Sequence, residues 1–246
     1  MKIILLRHGE SKWNLENKFT GWTDVPLTDN GINEAKFAGK QILNENLKIK
    51  SIFTSLLLRA TDTAKIVAKI ISFDLDSIVY NARLNERHYG ALQGLNKSET
   101  AKKYSEEQVK IWRRSYDIPP PLLSENDKRH PKFDSKFNDL SFKCPSGESL
   151  KDVVERLEPF FTKTLNNLKN SDENHLIVAH SNSLRAIIMI LEKLSQKEIV
   201  SVNLPTGIPL VYELDSSLNI VNKKFLIKEE LLKQKEEDII NQGKIK

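Results

Sequence analysis

The chain has 246 residues, 39% hydrophobic and 29% charged, with 38 Lys and Arg against 33 Asp and Glu for a formal net charge of +5. This suits one large domain or two small ones with a sizeable core and excludes a disordered chain, and no apolar run reaches the roughly 18 residues that a membrane crossing needs. The N-terminus enters a strand with no signal-peptide cleavage site, the single cysteine (Cys144) excludes an internal disulfide and predicts a reducing cytoplasm, and lysines interleaved with acids predict small polyanions as ligands, with neither nucleic acid nor membrane as partner.

In chain order, residues 3–6 (Ile-Ile-Leu-Leu) read as a short strand buried on both faces. Arg7, His8 and Gly9 stand at its carboxyl end, with Glu10, Ser11 and Asn14 just beyond, which in an open α/β sheet is where ligands bind. A rigidly held neutral imidazole beside an arginine's planar fork suits attack on a phosphoryl group. Alone, the same residues also fit an ordinary strand exit.

Thr28-Asp29 caps a helix with Ile32, Ala35, Phe37, Ala38, Ile42 and Leu43 at helical spacing. Residues 51–54 predict a second strand and 55–71 a helix, with Arg59 in its first turn or two. A third strand over 77–81 leads to a polar loop, 84–94, where Glu86, Arg87 and Tyr89 gather an acid, a cation and a phenol. Two helices follow: 96–104, carrying Lys97 early, and one that the capping box at 105–108 opens and Arg113-Arg114 ends. The pattern breaks over 115–146, where three consecutive prolines (119–121) force an extended segment, and so long a loop predicts an inserted lid or a disordered insertion. His130 and Cys144 lie in it without metal-ligand spacing and read as bystanders.

Residues 149–168 form an amphipathic helix pattern, and 175–179 another buried strand that delivers His180 to the start of a helix over 183–194. Residues 195–198 cap a short helix, and 210–214 with 220–225 read as a closing hairpin. The tail, 229–246, is charged with a weak apolar stripe (Leu231, Leu232, Ile239, Ile240) and predicts a mobile terminal segment.

Alternating strands and helices predict an α/β, three-layer fold: a mostly parallel central sheet with helices on both faces, whose strand exits converge on one edge. His8, Arg7, Arg59, Glu86 and His180 then share one pocket. Two arginines repel a cation and only one carboxylate accompanies them, so a phosphoanion fits better than a metal.

Residues 6–11 (Leu-Arg-His-Gly-Glu-Ser) resemble the signature of the histidine phosphatase superfamily. Residues 19–24, 84–97, 108–121, 180–185 and 203–213 resemble more specifically its cofactor-dependent phosphoglycerate mutases, and the likeness runs nearly the whole chain to 241–244. The resemblance implies a phosphoglycerate mutase-like fold, with one catalytic domain over 1–228, a lid insertion at 115–146 and a mobile tail at 229–246. It implies interconversion of 3- and 2-phosphoglycerate through phosphohistidine at His8, primed by 2,3-bisphosphoglycerate, with no metal. Arg7, Arg59, Asn14 and His180 would hold the transferring oxygens and Glu86 would move the proton. Ser11, Thr20, Gly21, Arg87, His88, Tyr89, Lys97, Arg113, Arg114, Ser181 and Asn182 would bind the rest of the substrate. Its members tend to form homodimers or homotetramers in the cytoplasm. Ser181 stands where they usually have glycine, and 135–146 matches them poorly. A phosphatase of the same superfamily and a non-catalytic phospholigand-binding protein are the alternatives.

Overall fold

Side chains of a strand alternate between the faces of its sheet, and the run at the N-terminus is apolar at every position, so both faces demand cover. In a computed structural model, which describes residues 1–169 and 173–241, that strand is β1 (Lys2–Arg7). It is followed by α1 (Lys12–Leu15), α2 (Asp29–Asn44), β2 (Ile49–Thr54), α3 (Leu58–Ile70), β3 (Val79–Tyr80), α4 (Lys97–Tyr104) and α5 (Glu106–Arg114). After a long irregular stretch come α6 (Leu150–Leu168), β4 (Asn174–Ala179), α7 (Ser181–Glu192), α8 (Glu198–Ser201), β5 (Pro209–Leu214), β6 (Ile220–Phe225) and α9 (Glu229–Asn241).

Among the described residues the strands form one six-stranded sheet in the order β3-β2-β4-β1-β5-β6. The pairs from β3 to β1 are parallel, while β5 runs antiparallel to β1 and to β6. Ile3 and Leu5 pack with Ile177, Leu210, Leu157, Phe161 and Leu184 on the face covered by α6 and α7. Ile4 and Leu6 pack with Leu176, Val178, Ile42 and Val67 on the face covered by α2 and α3. β1 and β4 lie side by side in the middle, with Leu6 opposite Val178 and Arg7 opposite Ala179. Their carboxyl ends therefore deliver His8 and His180 to the same edge.

Several boundaries differ from the sequence expectation. Helix α3 begins at Leu58, three residues after the expected start at 55, because its first free N–H is capped from afar: Leu58 donates to Asp24 Oδ1 at 2.6 Å. Arg59 still falls in the first turn. Helix α7 begins at Ser181, two residues early, since the Ser183 hydroxyl accepts from His180 N–H at 3.1 Å and closes that turn. The third strand shrinks to Val79–Tyr80 behind a 3-10 turn (Leu75–Ser77) capped by Asp74. Within 115–146, short 3-10 turns at Pro131–Phe133 and Ser135–Phe137 bring Phe137 against Trp22, with ring centroids 4.8 Å apart. Helix α9 carries Lys235, which meets Glu34 at 2.9 Å. Of the expected tail, residues 242–246 and the Ile239 and Ile240 side chains lie outside the described residues.

Candidate active site

His8 is fixed by the sheet itself: its N–H continues the β1–β4 ladder by donating to Ala179 O at 3.0 Å. Its Nδ1 lies 2.7 Å from the Gly9 carbonyl. A carbonyl only accepts, so Nδ1 carries the hydrogen and Nε2 keeps its lone pair. Burial, then Arg59 and Arg7, lowers the His8 pKa well below the usual imidazole value. The result is a neutral imidazole with a free Nε2, the form a nucleophile needs. Gly9 itself cannot be replaced without displacement, because a Cβ there would sit 2.1 Å from Gly31 O at the start of α2.

His180 lies edge-on to His8, with ring centroids 4.9 Å apart. Its Nε2 is 2.8 Å from Ser55 Oγ, and its buried Nδ1 has no partner. Burial, then Arg59 and His8, holds this imidazole neutral as well.

His8 opens onto a cleft of about 630 Å³, its solvent-open mouth included, with Arg7, Arg59, Lys97, Arg113, Arg114, Arg185 and Lys18 in its wall. Among the described residues Glu86 is the one carboxylate in that wall. Like charges so close are held apart from solvent by backbone and amide acceptors. Arg7 donates to Leu204 O at 2.8 Å, and Arg59 to Gly21 O at 2.8 Å and Thr23 O at 3.1 Å. Arg114 donates to Asn203 Oδ1 at 2.9 Å and Arg185 to Ile199 O at 2.7 Å. Burial lowers Arg59 and Arg113 to about 10 and Arg185 to about 9, and it lowers Lys97 strongly, with Arg113 and Arg7 adding to the effect. Such a cleft stores repulsion that a bound polyanion relieves. Glu86 Oε1 accepts from the Arg87 N–H at 2.7 Å and the Asn182 N–H at 3.1 Å.

Of the residues expected from sequence, Arg7, His8, Asn14, Thr20, Gly21, Arg59, Glu86, Tyr89, Lys97, Arg113, Arg114, Ser181 and Asn182 line the cleft. His180 stands directly behind His8. Three others depart from the expected placement in the wall. The buried Ser11 hydroxyl caps α1 and bonds Asn14 Oδ1 at 2.9 Å. The buried Arg87 turns back to the Trp112 carbonyl and stacks over the Tyr89 ring at 4.7 Å. His88 points into the core, where its Nδ1 accepts from Gly90 N–H at 3.0 Å and burial lowers its pKa to about 3. Simple alternation would put His88 on the side of Glu86, but the loop is not a regular strand, and the Glu148 carboxylate holds the His88 N–H at 2.8 Å.

Lys18, Phe19 and Arg185 line the cleft without having been singled out. Arg185 carried a readable signal: it sits one helical turn beyond Ser181 and Asn182, on the same face. Ser181 occupies the first turn of α7 and is absent from the residues with positive φ. It therefore needs none of glycine's conformational freedom. No group of three or more His, Cys, Asp or Glu suited to a metal ion occurs among the described residues.

Comparison with known proteins identifies the family. The model of the histidine phosphatase superfamily (branch 1) matches residues 3–127 and 121–217. A 2,3-bisphosphoglycerate-dependent phosphoglycerate mutase of Hydrogenobaculum sp. (strain Y04AAS1) is 50% identical over 243 residues, covering 98% of each chain. One from Borreliella burgdorferi (strain ZS7) is 48% identical over 246 residues, 100% of this chain and 99% of its own. Among solved structures, a mycobacterial glucosyl-3-phosphoglycerate phosphatase superposes with a TM-score of 0.69 over 91% of this chain and 96% of its own, at 22% identity, a likeness of fold alone.

Proposed function

The chain belongs to the histidine phosphatase superfamily, and on that footing we propose that it interconverts 3-phosphoglycerate and 2-phosphoglycerate through a phosphohistidine at His8. The observation that carries this is the pairing of a neutral, oriented imidazole with a cleft that sets seven cations against one carboxylate. A cleft of that charge fits a substrate bearing both phosphate and carboxylate. Full-length relatives at 46–50% identity are mutases, which favours mutase over phosphatase.

Nε2 of His8 attacks the phosphorus: an N–P bond forms, the P–O bond to the glycerate breaks, and Glu86 delivers the proton to the departing oxygen. Arg7, Arg59 and Asn14, with His180 behind, stabilise the three equatorial oxygens throughout. In return, Glu86 takes the proton of the hydroxyl that recovers the phosphoryl group, and moving it between adjacent carbons interconverts the isomers. Lys97, Arg113, Arg114 and Tyr89 hold the carboxylate and the distal phosphate, with Thr20, Gly21, Ser181 and Asn182 completing the wall.

When bound, 2,3-bisphosphoglycerate supplies the phosphoryl group that first charges His8. The donor set fits so anionic a group: among the cations in the wall, Arg7 Nε and Arg185 Nε are buried without a hydrogen-bond partner. Residues 1–228 would act as one catalytic domain. The 115–146 segment and the chain from 229 onward would exclude water from phosphohistidine. Support for the second element is the Lys235 contact with Glu34, whose other oxygen accepts from Glu10 N–H at 2.8 Å beside the nucleophile loop. No helix among the described residues is long and apolar enough to cross a membrane, and the enzyme would work in the cytoplasm on small phosphoglycerates, as a homodimer or homotetramer.

Labelled 2,3-bisphosphoglycerate tests the reading. It should leave an acid-labile, alkali-stable label that His8→Ala abolishes, and a coupled assay should show 2-phosphoglycerate formation that depends on the bisphosphate. Release of phosphate to water without 2-phosphoglycerate would favour the phosphatase reading instead.

A further inference from the structure

Arg156 lies on α6, 6% exposed, and no residue of the cleft wall is near it in sequence. Its guanidinium nevertheless organises the loop that carries Glu86. Nε and one terminal nitrogen grip Glu148, at 2.7 and 3.2 Å. The remaining donors reach four backbone carbonyls: Arg83 at 2.7 Å, Asn85 at 3.1 Å, and Ala82 and Glu86 at 3.3 Å. Glu148 closes the arc from the other side, accepting from His88 N–H at 2.8 Å and donating its own N–H to His88 O at 2.9 Å. The Trp22 ring lies 5.7 Å from the guanidinium carbon, and its Nε1 donates to Glu86 O at 2.6 Å.

The backbone from 82 to 88 is thus moulded around one buried fork of donors. A buried ion pair is weak evidence for stability, since apolar side chains of the same volume often serve as well. What apolar side chains could not supply is a set of donors directed at successive carbonyls of one loop. A lysine could not supply it either, because its ammonium has three donors on a flexible stem and no fixed plane. The nucleophile is held separately, by the β1–β4 ladder and the Gly9 carbonyl, none of which touches Arg156.

We propose that Arg156, with Glu148, is a positioning residue that sets Glu86 for proton transfer to and from the substrate hydroxyl. The proposal rests on the mutase reading. It makes one half of the chemistry separable from the other. Phosphorylation of His8 by p-nitrophenyl phosphate forms the N–P bond while p-nitrophenolate departs as a stable anion, so no proton need be delivered. Transfer between His8 and a glycerate hydroxyl breaks or makes a P–O bond to an alkoxide and requires the proton that Glu86 moves.

Arg156→Lys should lower the mutase kcat by about 30-fold or more, the scale of a misplaced general acid–base, while KM changes less than about threefold. Labelling of His8 by p-nitrophenyl phosphate should stay within about threefold of the unmodified chain. Glu148→Gln, which keeps an oxygen for the His88 N–H, should show the same split with a smaller loss, and it carries the test if Arg156→Lys does not fold. Leu165→Ala, a cavity elsewhere on α6, serves as control: its melting temperature should fall while the ratio of the two activities holds. A kcat loss under about threefold, or equal losses in kcat and labelling, would overturn the proposal. Absence of 2-phosphoglycerate formation by the unmodified chain would refute the mutase reading, whatever the variants do.

Discussion

The neutrality that equips His8 as a nucleophile has a measurable consequence for stability in acid. His8, His88 and His180 are 2%, 0% and 0% exposed. Burial is the largest cause lowering each of their pKa values, to about 3 for His88 and well below the usual value for the other two. In the unfolded chain each returns to a pKa near ~6.5, about one-quarter protonated at pH 7 and about nine-tenths at pH 5.5. The unfolded state therefore binds more protons, and stability falls as pH drops through that value. For an imidazole that stays neutral when folded, linkage gives a loss of about 1.2 kcal/mol between pH 7 and 5.5, hence roughly 3.5–4 kcal/mol for the three. His130 and His175 shift in the same direction and add to it. Urea unfolding at the two pH values and constant ionic strength measures the loss, and His88→Asn, which retains an acceptor where Nδ1 meets the Gly90 N–H, should recover about 1.2 kcal/mol of it. A loss below ~1 kcal/mol, or no recovery in the variant, would mean that these imidazoles accept protons in the folded protein, and the argument for a neutral nucleophile would fail with it.

Other outcomes bear on the cleft. Burial and neighbouring arginines depress Lys97, so a polyanion should draw a proton in as it binds at mildly alkaline pH; calorimetry in buffers of different ionisation enthalpy reads this, and identical apparent heats would refute it. Because Ser181 sits in helical backbone, Ser181→Gly should change kcat/KM by less than about tenfold, or ~1.4 kcal/mol, and a hundredfold gain would show that the serine disables the site. Truncation after Lys228 removes α9 and its Lys235–Glu34 contact; mutase activity should fall while hydrolysis of bisphosphate is spared or rises, and equal losses would make the segment purely structural.

Much of this was legible in the sequence, because local chemistry carries it. Four consecutive apolar residues bounded by charge read as a short strand covered on both faces, and β1 is one. The polar groups at its exit and after β4 then had to meet at one sheet edge, as His8 and His180 do at 4.9 Å. Helical spacing located α2, α6 and the pair α4 and α5, and the motifs over residues 6–11, 84–97 and 180–185 pointed to the family. Tertiary structure alone decided the rest. Asp24 caps α3 across 34 positions, Leu204 anchors Arg7 across 197, and Arg156 shapes the Glu86 loop across 70. Within one loop it turned Glu86 to the cleft and Arg87 and His88 away from it. Periodicity and motif spacing describe a chain's relation to itself over a few residues, whereas a buried donor finds its acceptor by proximity in the folded interior. Only the assembled sheet and its covering helices bring such distant partners within hydrogen-bond reach.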